Sequence, residues 1–309
     1  MDLRTEHAGR VTVLVVGGTG ESYAGDQRIE PSGLLADVTT CLDDRFAARW
    51  VGYPSSYGPA PHADGMSYTR SLAVGVHNLR AALRGTPGPV MMIGYSQGAV
   101  VVRSVLHELA HYHDVALGRV MAAGFVADPH QPPGTVDGCD GWGVAGPGPE
   151  LPTGLPAYWV GAPEDVICNA QADSFVRDIA DLTSAMSLQR IPDWMGRLWI
   201  MLRRNSFQNA DRTSFGFAQM RRDLTRLTTT GREVRGYLPA ALQWHGLVIR
   251  NRLGGRHTSY ASEPYRRFSR TDPDTTGCQA LAAWLQVCAT FSTIGSVEQT
   301  GGEAYGIAG

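Results

Sequence analysis

A serine that could act as a nucleophile interrupts an otherwise apolar run. Residues 90–102 read VMMIGYSQGAVVV, in which Ser96 stands between Gly94 and Gly98. This spacing matches G-x-S-x-G, the sequence of a strand-to-helix turn that exposes a serine hydroxyl above a sheet. Glycine on both sides removes the Cβ atoms that would clash when a strand turns sharply into a helix. We predict that Ser96 is a catalytic nucleophile, with a purely structural turn as the alternative.

A serine nucleophile needs a base and an orienting acid, and candidates for both come later in the chain. In hydrolases that use this turn, the order is serine, acid, histidine, with the last two on loops after later strands. Asp165 follows the apolar segment AYWVG and is the predicted acid, while its neighbour Glu164 is the alternative. Among nine histidines, His257 lies in a glycine-preceded loop shortly before the last predicted helix. We predict His257 as the base.

Acyl transfer also requires two backbone N–H groups directed at the developing oxyanion. Gln97 opens the helix after Ser96, where unpaired amides and the helix dipole favour negative charge. The segment GGTGE contains Thr19, the predicted second donor, whose hydroxyl is an additional candidate donor. A phosphate-binding turn is the alternative for these glycines, but they lack the spacing of G-x-G-x-x-G and of the P-loop.

A second catalytic motif competes with the serine. Residues 107–111 read HELAH, which matches the H-E-x-x-H of zinc peptidases, where two histidines bind the metal and the glutamate is the base. Position 114 is aspartate rather than the glycine of extended zincin motifs, and no third histidine follows at the required spacing. The motif would also lie about 16–22 Å from Ser96 along one helix. A zinc peptidase remains a minor alternative, and we expect a site without metal or cofactor.

The elements predicted to carry these residues alternate between strands and helices. Strands are predicted at 11–16, 90–93, 119–127 and 157–161, and helices at 67–84, 97–112 and 275–290. Such alternation is typical of a parallel sheet covered by helices on both faces. The predicted fold class is therefore α/β, of the α/β-hydrolase type.

Between the predicted acid and base the composition changes. From 171 to 250 strand signals are absent and helix-length segments follow one another. Residues 190–270 contain 16 arginines and 5 acidic residues, whereas the whole chain has a formal charge of −2. We predict a hydrolase core made of residues 1–168 and 251–309, with residues 169–250 forming an inserted, all-helical linker or lid.

Two tryptophans of the predicted insertion are candidates for substrate contact. Trp194 and Trp199 lie in PDWMGRLWIMLRR, where apolar side chains cover too much of the helix for one narrow stripe. A lipid-facing wall for long acyl chains, with arginines near an anionic envelope, is one interpretation. A packed helical core with a solvated basic face is the other.

The charge, the cysteine pattern and the apolar segments of the chain argue against several classes of function. A formal charge of −2 gives no reason to expect nucleic acid as a partner, although an α/β scaffold whose basic block binds nucleic acid is a minor alternative. Five cysteines form no C-x-x-C pair, so neither a zinc knuckle nor a disulfide framework is predicted. The N-terminal segment does not match a signal peptide, and no apolar run is long enough to span a membrane. We expect a soluble product.

Together, these motifs resemble a known family. GGTGE, GYPSSYGP, GYSQG, DVIC and RHTSY are similar to segments of the cutinase-like serine esterases, over most of residues 10–168 and 252–290. The long segment between acid and base makes the chain similar, within that group, to the lysin B enzymes of phages that infect mycobacteria and related actinobacteria. Gly17 departs from the histidine that many relatives have before the Gly-Thr pair.

This resemblance implies a specific reaction and place of action. The implied reaction is hydrolysis of the ester between mycolic acids and arabinogalactan, with Ser96, Asp165 and His257 as the triad and Thr19 and Gln97 as oxyanion donors. The implied partner is mycolyl-arabinogalactan or another lipid ester, with peripheral contact to envelope lipid. The protein would be made in the host cytoplasm without a signal peptide and act on the host envelope after release. A general cutinase-like or PE-PPE-type lipid esterase is the main alternative.

Overall fold

A five-stranded parallel sheet forms the centre of the chain in the computed structural model. The structure describes residues 10–62, 64–172, 174–184, 195, 200, 230–237, 241–244, 247–252, 254–265 and 272–301. The strands are β1 (Val11–Val16), β2 (Phe46–Trp50), β3 (Val90–Tyr95), β4 (Val120–Val126) and β5 (Ala157–Val160), in the spatial order β2-β1-β3-β4-β5. Strands β1, β3 and β4 are almost entirely buried, which explains their continuous apolar sequences.

Helices cover both faces of this sheet. Within the described residues the helices are α1 (Ala36–Thr39), α2 (Tyr68–Arg84), α3 (Gln97–His111), α4 (Phe175–Thr183), α5 (residues 230–237) and α6 (Gly277–Gly301). Helices α2 and α3 pack on one face with residues such as Leu14 and Phe125, whereas α1 and α6 pack on the other with residues such as Val13 and Ile93. The predicted α/β-hydrolase class is confirmed, and no helix in the described ranges combines the length and apolarity that crossing a membrane requires.

Because all five strands are parallel, their carboxyl ends meet at one edge of the sheet. The loops that leave β1, β3 and β5 at this edge carry Thr19, Ser96 and Asp165. The sheet therefore brings together residues that are far apart in the sequence. This is the edge at which open α/β sheets bind their ligands.

The prediction of an all-helical insertion is wrong at its carboxyl end. Residues Ala241–Trp244 (β6) and Leu247–Arg250 (β7) form a two-stranded antiparallel sheet, in which Trp244 pairs with Leu247. The two residues between these strands are His-Gly, and a two-residue connection with glycine favours a hairpin. A continuous helix would instead hold that glycine in its interior, at a cost of about 1 kcal/mol. The division into a core of 1–168 and 251–309 and an insertion of 169–250 stays a prediction.

Candidate active site

Ser96 occupies a sharp turn between β3 and α3. Its backbone has φ 52° and ψ −115°, a positive φ that residues with a side chain rarely adopt. A Cβ on Gly94 would lie 2.4 Å from the carbonyl oxygen of Gly98, and a Cβ on Gly98 would lie 2.1 Å from that of Val16. Glycine is therefore required on both sides of the serine, as the sequence predicts.

Ser96, His257 and Asp165 form one hydrogen-bonded chain. The Nε2 atom of His257 lies 3.0 Å from the Ser96 Oγ, and its Nδ1 atom lies 2.9 Å from Oδ2 of Asp165. With the proton on Nδ1, the imidazole donates to the carboxylate and accepts the hydrogen bond of the serine hydroxyl. The arrangement can withdraw a proton from Ser96 and stabilise the imidazolium that results.

The carboxylate of Asp165 is fully buried in the loop after β5. Burial by itself raises the pKa of this carboxyl, but the charge of His257 and the hydrogen bonds from His257, Tyr260 and the Ile167 amide together lower it. Glu164, the alternative acid, is exposed to solvent and is not the hydrogen-bonding partner of His257. The geometry therefore favours Asp165 over its neighbour.

Two tyrosines that were not predicted from the sequence support the hydrogen-bonded chain of Ser96, His257 and Asp165. The Tyr260 hydroxyl donates to Oδ2 of Asp165 at 2.6 Å, the same oxygen that accepts from His257. The Tyr95 hydroxyl donates to the His257 carbonyl at 2.8 Å, and its ring stacks on the imidazole at 5.1 Å. Both tyrosines belong to motifs quoted above, since Tyr95 lies in GYSQG and Tyr260 lies in RHTSY. The sequence does not show the direction in which either side chain points, so their roles could not be predicted from it.

Replacing Tyr260 with phenylalanine is expected to lower kcat/KM for a short ester by about tenfold. The substitution removes a hydrogen bond to a buried carboxylate, an interaction worth about 1.5–3 kcal/mol. Because Asp165 keeps its bonds to His257 and to Ile167, activity should fall rather than vanish. Steady-state kinetics with p-nitrophenyl butyrate measure this. Activity of Tyr260→Phe equal to the unmodified protein would show that the hydroxyl does not support the acid.

The turn after β1 lies directly against the nucleophile. A Cβ on Gly18 would lie 3.4 Å from the Cβ of Ser96. The backbone amides of Thr19 and Gln97 donate to no acceptor among the described residues, so both are available to an oxyanion. The Thr19 hydroxyl, an additional predicted donor, instead donates to Oε1 of Gln97 at 3.0 Å. The hydroxyl therefore holds the Gln97 side chain in this structure, and its role as an additional oxyanion donor stays a prediction.

The HELAH segment makes contacts unlike those of a zinc peptidase. The carboxylate of Glu108 forms an ion pair with Arg80 at 2.8 Å, and His107 hydrogen bonds through Nδ1 to the Glu150 carbonyl. The rings of His107 and His111 stack at 6.0 Å. No group of three or more residues able to hold a metal ion occurs in the described part of the chain. These contacts favour a structural role for the motif, at the end of α3.

Part of the predicted insertion lies against the triad. The ring of Tyr237 in α5 lies 5.4 Å from that of His257. Glu233, one turn earlier, accepts from the backbone amide of Gln171 at 3.0 Å and from the Ser174 hydroxyl. These bonds hold α5 to the segment that follows the Asp165 loop. Helix α5 therefore forms one side of the site.

Large apolar side chains are exposed on the segment between Asp165 and His257. They are Ile179, Met195, Ile200, Val234 and Tyr237. Because Tyr237 adjoins His257, some of this apolar surface borders the site. Trp194 and Trp199, the predicted substrate-contact residues, lie outside the described residues, and their role stays a prediction.

Comparisons with known proteins find one matching family and one curated relative. Residues 45–144, which include Ser96 but neither Asp165 nor His257, match the PE-PPE domain. Over 100 residues the chain is 30% identical to the SL1278 acyltransferase Chp1 of Mycobacterium tuberculosis (strain ATCC 25618 / H37Rv). This match covers 29% of the chain and 24% of the relative, so the chain spans only about a quarter of that protein.

Solved structures similar to the chain include a cutinase-like protein and an acetyl xylan esterase. A cutinase-like protein from Cryptococcus sp. is 16% identical with a TM-score of 0.39, and the match covers 62% of this chain and 90% of that one. An acetyl xylan esterase is 18% identical with a TM-score of 0.36, and the match covers 57% of this chain and 96% of that one. At these scores the superpositions add nothing to what the strand order and the geometry around Ser96 establish.

Proposed function

We propose that this chain is a cutinase-like serine esterase that hydrolyses a lipid ester. The observation that carries the proposal is the hydrogen-bonded chain from Ser96 through His257 to Asp165, at 3.0 Å and 2.9 Å. The PE-PPE match over residues 45–144 and the acyltransferase relative support chemistry on an acyl group. The exposed apolar side chains of α4 and α5 support a substrate with an aliphatic part.

The proposed reaction is acyl transfer in two steps. His257 takes the Ser96 proton as the serine oxygen attacks the ester carbonyl, and the oxyanion is stabilised by the amides of Thr19 and Gln97. The carbon–oxygen bond to the alcohol then breaks, and the alcohol leaves with the proton held by His257. Water, activated by the same imidazole, hydrolyses the acyl-serine and regenerates the free enzyme.

A narrower proposal names the ester as the one that joins mycolic acid to arabinogalactan. The long segment between acid and base and the basic composition of residues 190–270 support it, because a bulky, anionic envelope calls for a large binding surface. In this proposal the protein acts on the actinobacterial envelope after release from the cell that makes it, during phage-mediated lysis. A PE-PPE-type lipid esterase acting on simpler esters is the coarser form of the same proposal.

A second candidate function is transfer of the acyl group to an alcohol instead of water. The similarity to an acyltransferase favours it, and both reactions share the acyl-serine intermediate. The fate of the acyl group separates the two. When a long-chain p-nitrophenyl ester is supplied with glycerol or trehalose, a hydrolase releases free fatty acid and a transferase forms a new ester.

The substrate proposal is tested on purified envelope material. Mycolyl-arabinogalactan-peptidoglycan is incubated with the protein or with its Ser96→Ala variant, and freed mycolic acids are measured by chromatography and mass spectrometry. We expect mycolic acids to be released only by the protein with an intact Ser96. Hydrolysis of p-nitrophenyl and glyceride esters without release of mycolic acid would overturn the narrower proposal and leave the general lipid esterase.

A further inference from the structure

The turn that carries Thr19 is held from both sides by one residue, Glu21. The Oε2 atom of Glu21 accepts from the Gly18 amide at 2.7 Å, and its own backbone amide donates to the Gly18 carbonyl at 3.1 Å. The second carboxylate oxygen accepts from the Leu34 amide at 2.8 Å. Glu21 thus links the turn after β1 to a separate segment of backbone.

These bonds fix the direction of the Thr19 N–H. The Gly18 carbonyl and the Thr19 N–H belong to one planar trans peptide unit, so they point in opposite directions. Because the carbonyl is held by the Glu21 amide, the N–H must face away from that bond. The hydrogen bond from Gly18 to the carboxylate fixes the preceding peptide unit as well. Both peptide units that flank Gly18 are therefore oriented by the same residue.

The surrounding backbone is built around the Glu21 carboxylate. A Cβ on Gly33 would lie 2.2 Å from Oε1 of Glu21, and a Cβ on Gly17 would lie 2.9 Å from Oε2. Burial raises the pKa of the Glu21 carboxyl, while the amides of Leu34 and Gly18 and the nearby charge of His257 act in the opposite direction. The side chain therefore occupies a space that only glycine at position 33 leaves open.

We infer that Glu21 is a positioning residue of the oxyanion site, which holds the Gly18–Thr19 peptide so that the Thr19 amide faces the acyl oxygen. This inference rests on the proposed serine esterase function. It goes beyond that function because it makes the catalytic geometry depend on a carboxylate outside the hydrogen-bonded group of Ser96, His257 and Asp165. Nothing else in the described residues holds the Gly18 amide.

The test replaces Glu21 with glutamine. The carboxamide keeps the length of the side chain, but it can accept from only one of the two amides, because its NH₂ group presents hydrogens to the other. Loss of one oxyanion donor lowers kcat by about 10²–10³-fold, so a misdirected donor should cost about 10–100-fold. We expect that fall in kcat for p-nitrophenyl butyrate, with KM changed by less than about threefold because ground-state binding makes little use of the oxyanion site.

The fraction of active protein is first measured, for the unmodified protein and for Glu21→Gln, by complete reaction with a fluorophosphonate. The value of kcat is then expressed per titrated site. A fall in the titrated fraction with normal kcat per site would mean that Glu21 only stabilises the fold, and it would overturn the inference. Normal kcat in Glu21→Gln would overturn it as well. If the unmodified protein neither reacts with the fluorophosphonate nor hydrolyses esters, the proposed function itself fails, which is a separate result.

A matched pair of glycine substitutions tests the same inference without changing Glu21. Gly33 and Gly25 have positive φ angles of 66° and 79° and both lie in the segment between β1 and α1, so alanine strains both. Only at Gly33 does the new Cβ displace the Glu21 carboxylate, since a Cβ on Gly25 meets nothing within 4 Å. We expect Gly33→Ala, and not Gly25→Ala, to lower kcat per titrated site. Equal kcat in the two variants would contradict the inference, even if Glu21→Gln does not fold.

Discussion

Replacing Ser96 with alanine is expected to lower kcat/KM for a short p-nitrophenyl ester by about 10⁴-fold or more. The substitution removes the oxygen that lies 3.0 Å from the His257 Nε2 atom and that must form the acyl bond. The oxyanion amides would remain, so only their residual catalysis of attack by water should persist. Initial rates with p-nitrophenyl butyrate, corrected for spontaneous hydrolysis, measure the effect.

A second serine on the same helix provides the control. Ser104 donates its hydroxyl to the Val100 carbonyl within α3 and has no contact with His257. Ser104→Ala should keep kcat/KM within about a factor of two, as expected for a substitution away from the reacting atoms. Retention of most activity in Ser96→Ala would show that the hydrolysis arises elsewhere in the protein.

Replacing Asp165 with asparagine is expected to lower kcat/KM by about 10³–10⁴-fold. Oδ2 of Asp165 accepts from both His257 and Tyr260, and a neutral carboxamide cannot stabilise the imidazolium formed when His257 takes the serine proton. The NH₂ group of asparagine would also favour the wrong tautomer of His257. The same ester assay measures the loss, with thermal unfolding recorded to verify that the variant is folded.

The exposed neighbour Glu164 supplies the matching control for this assignment. Glu164→Gln should leave kcat/KM within about a factor of two, because exposed carboxylates without a catalytic contact contribute little. The double variant Ser96→Ala, Asp165→Asn should be no slower than Ser96→Ala alone, since the members of a triad act as one unit. A larger loss in Glu164→Gln than in Asp165→Asn would reverse the assignment of the acid.

The strands and helices around the serine could be predicted because local sequence determines them. The segments 11–16 and 90–93 are apolar except for Thr12, which is partly buried, and they form the buried strands β1 and β3. The glycines around Ser96 specify a turn that other residues cannot adopt. The strand Phe46–Trp50 was not predicted, since this edge strand buries only its two end residues and its short sequence lacks a clear alternation.

The supporting residues of the site could not be predicted, because their roles depend on contacts between distant segments. The Glu21 carboxylate is held by the Leu34 amide, 13 positions later, and the Tyr260 hydroxyl donates to Asp165, 95 positions earlier. No periodicity or spacing in the sequence encodes such contacts. The proximity of Ser96, Asp165 and His257 could be predicted by contrast, since the chain order of serine, acid and histidine is constrained by the order of strands in the sheet.

The most direct test of the central claim is to map the site of a fluorophosphonate label by mass spectrometry. Trypsin cleaves after Arg84 and Arg103, which releases residues 85–103, and Ser96 is the only serine in that peptide. We predict one label per chain, on Ser96, and strongly reduced labelling in the Asp165→Asn variant. A label on any other residue, or equal labelling with and without Asp165, would contradict the proposal that Ser96 is a nucleophile activated through His257.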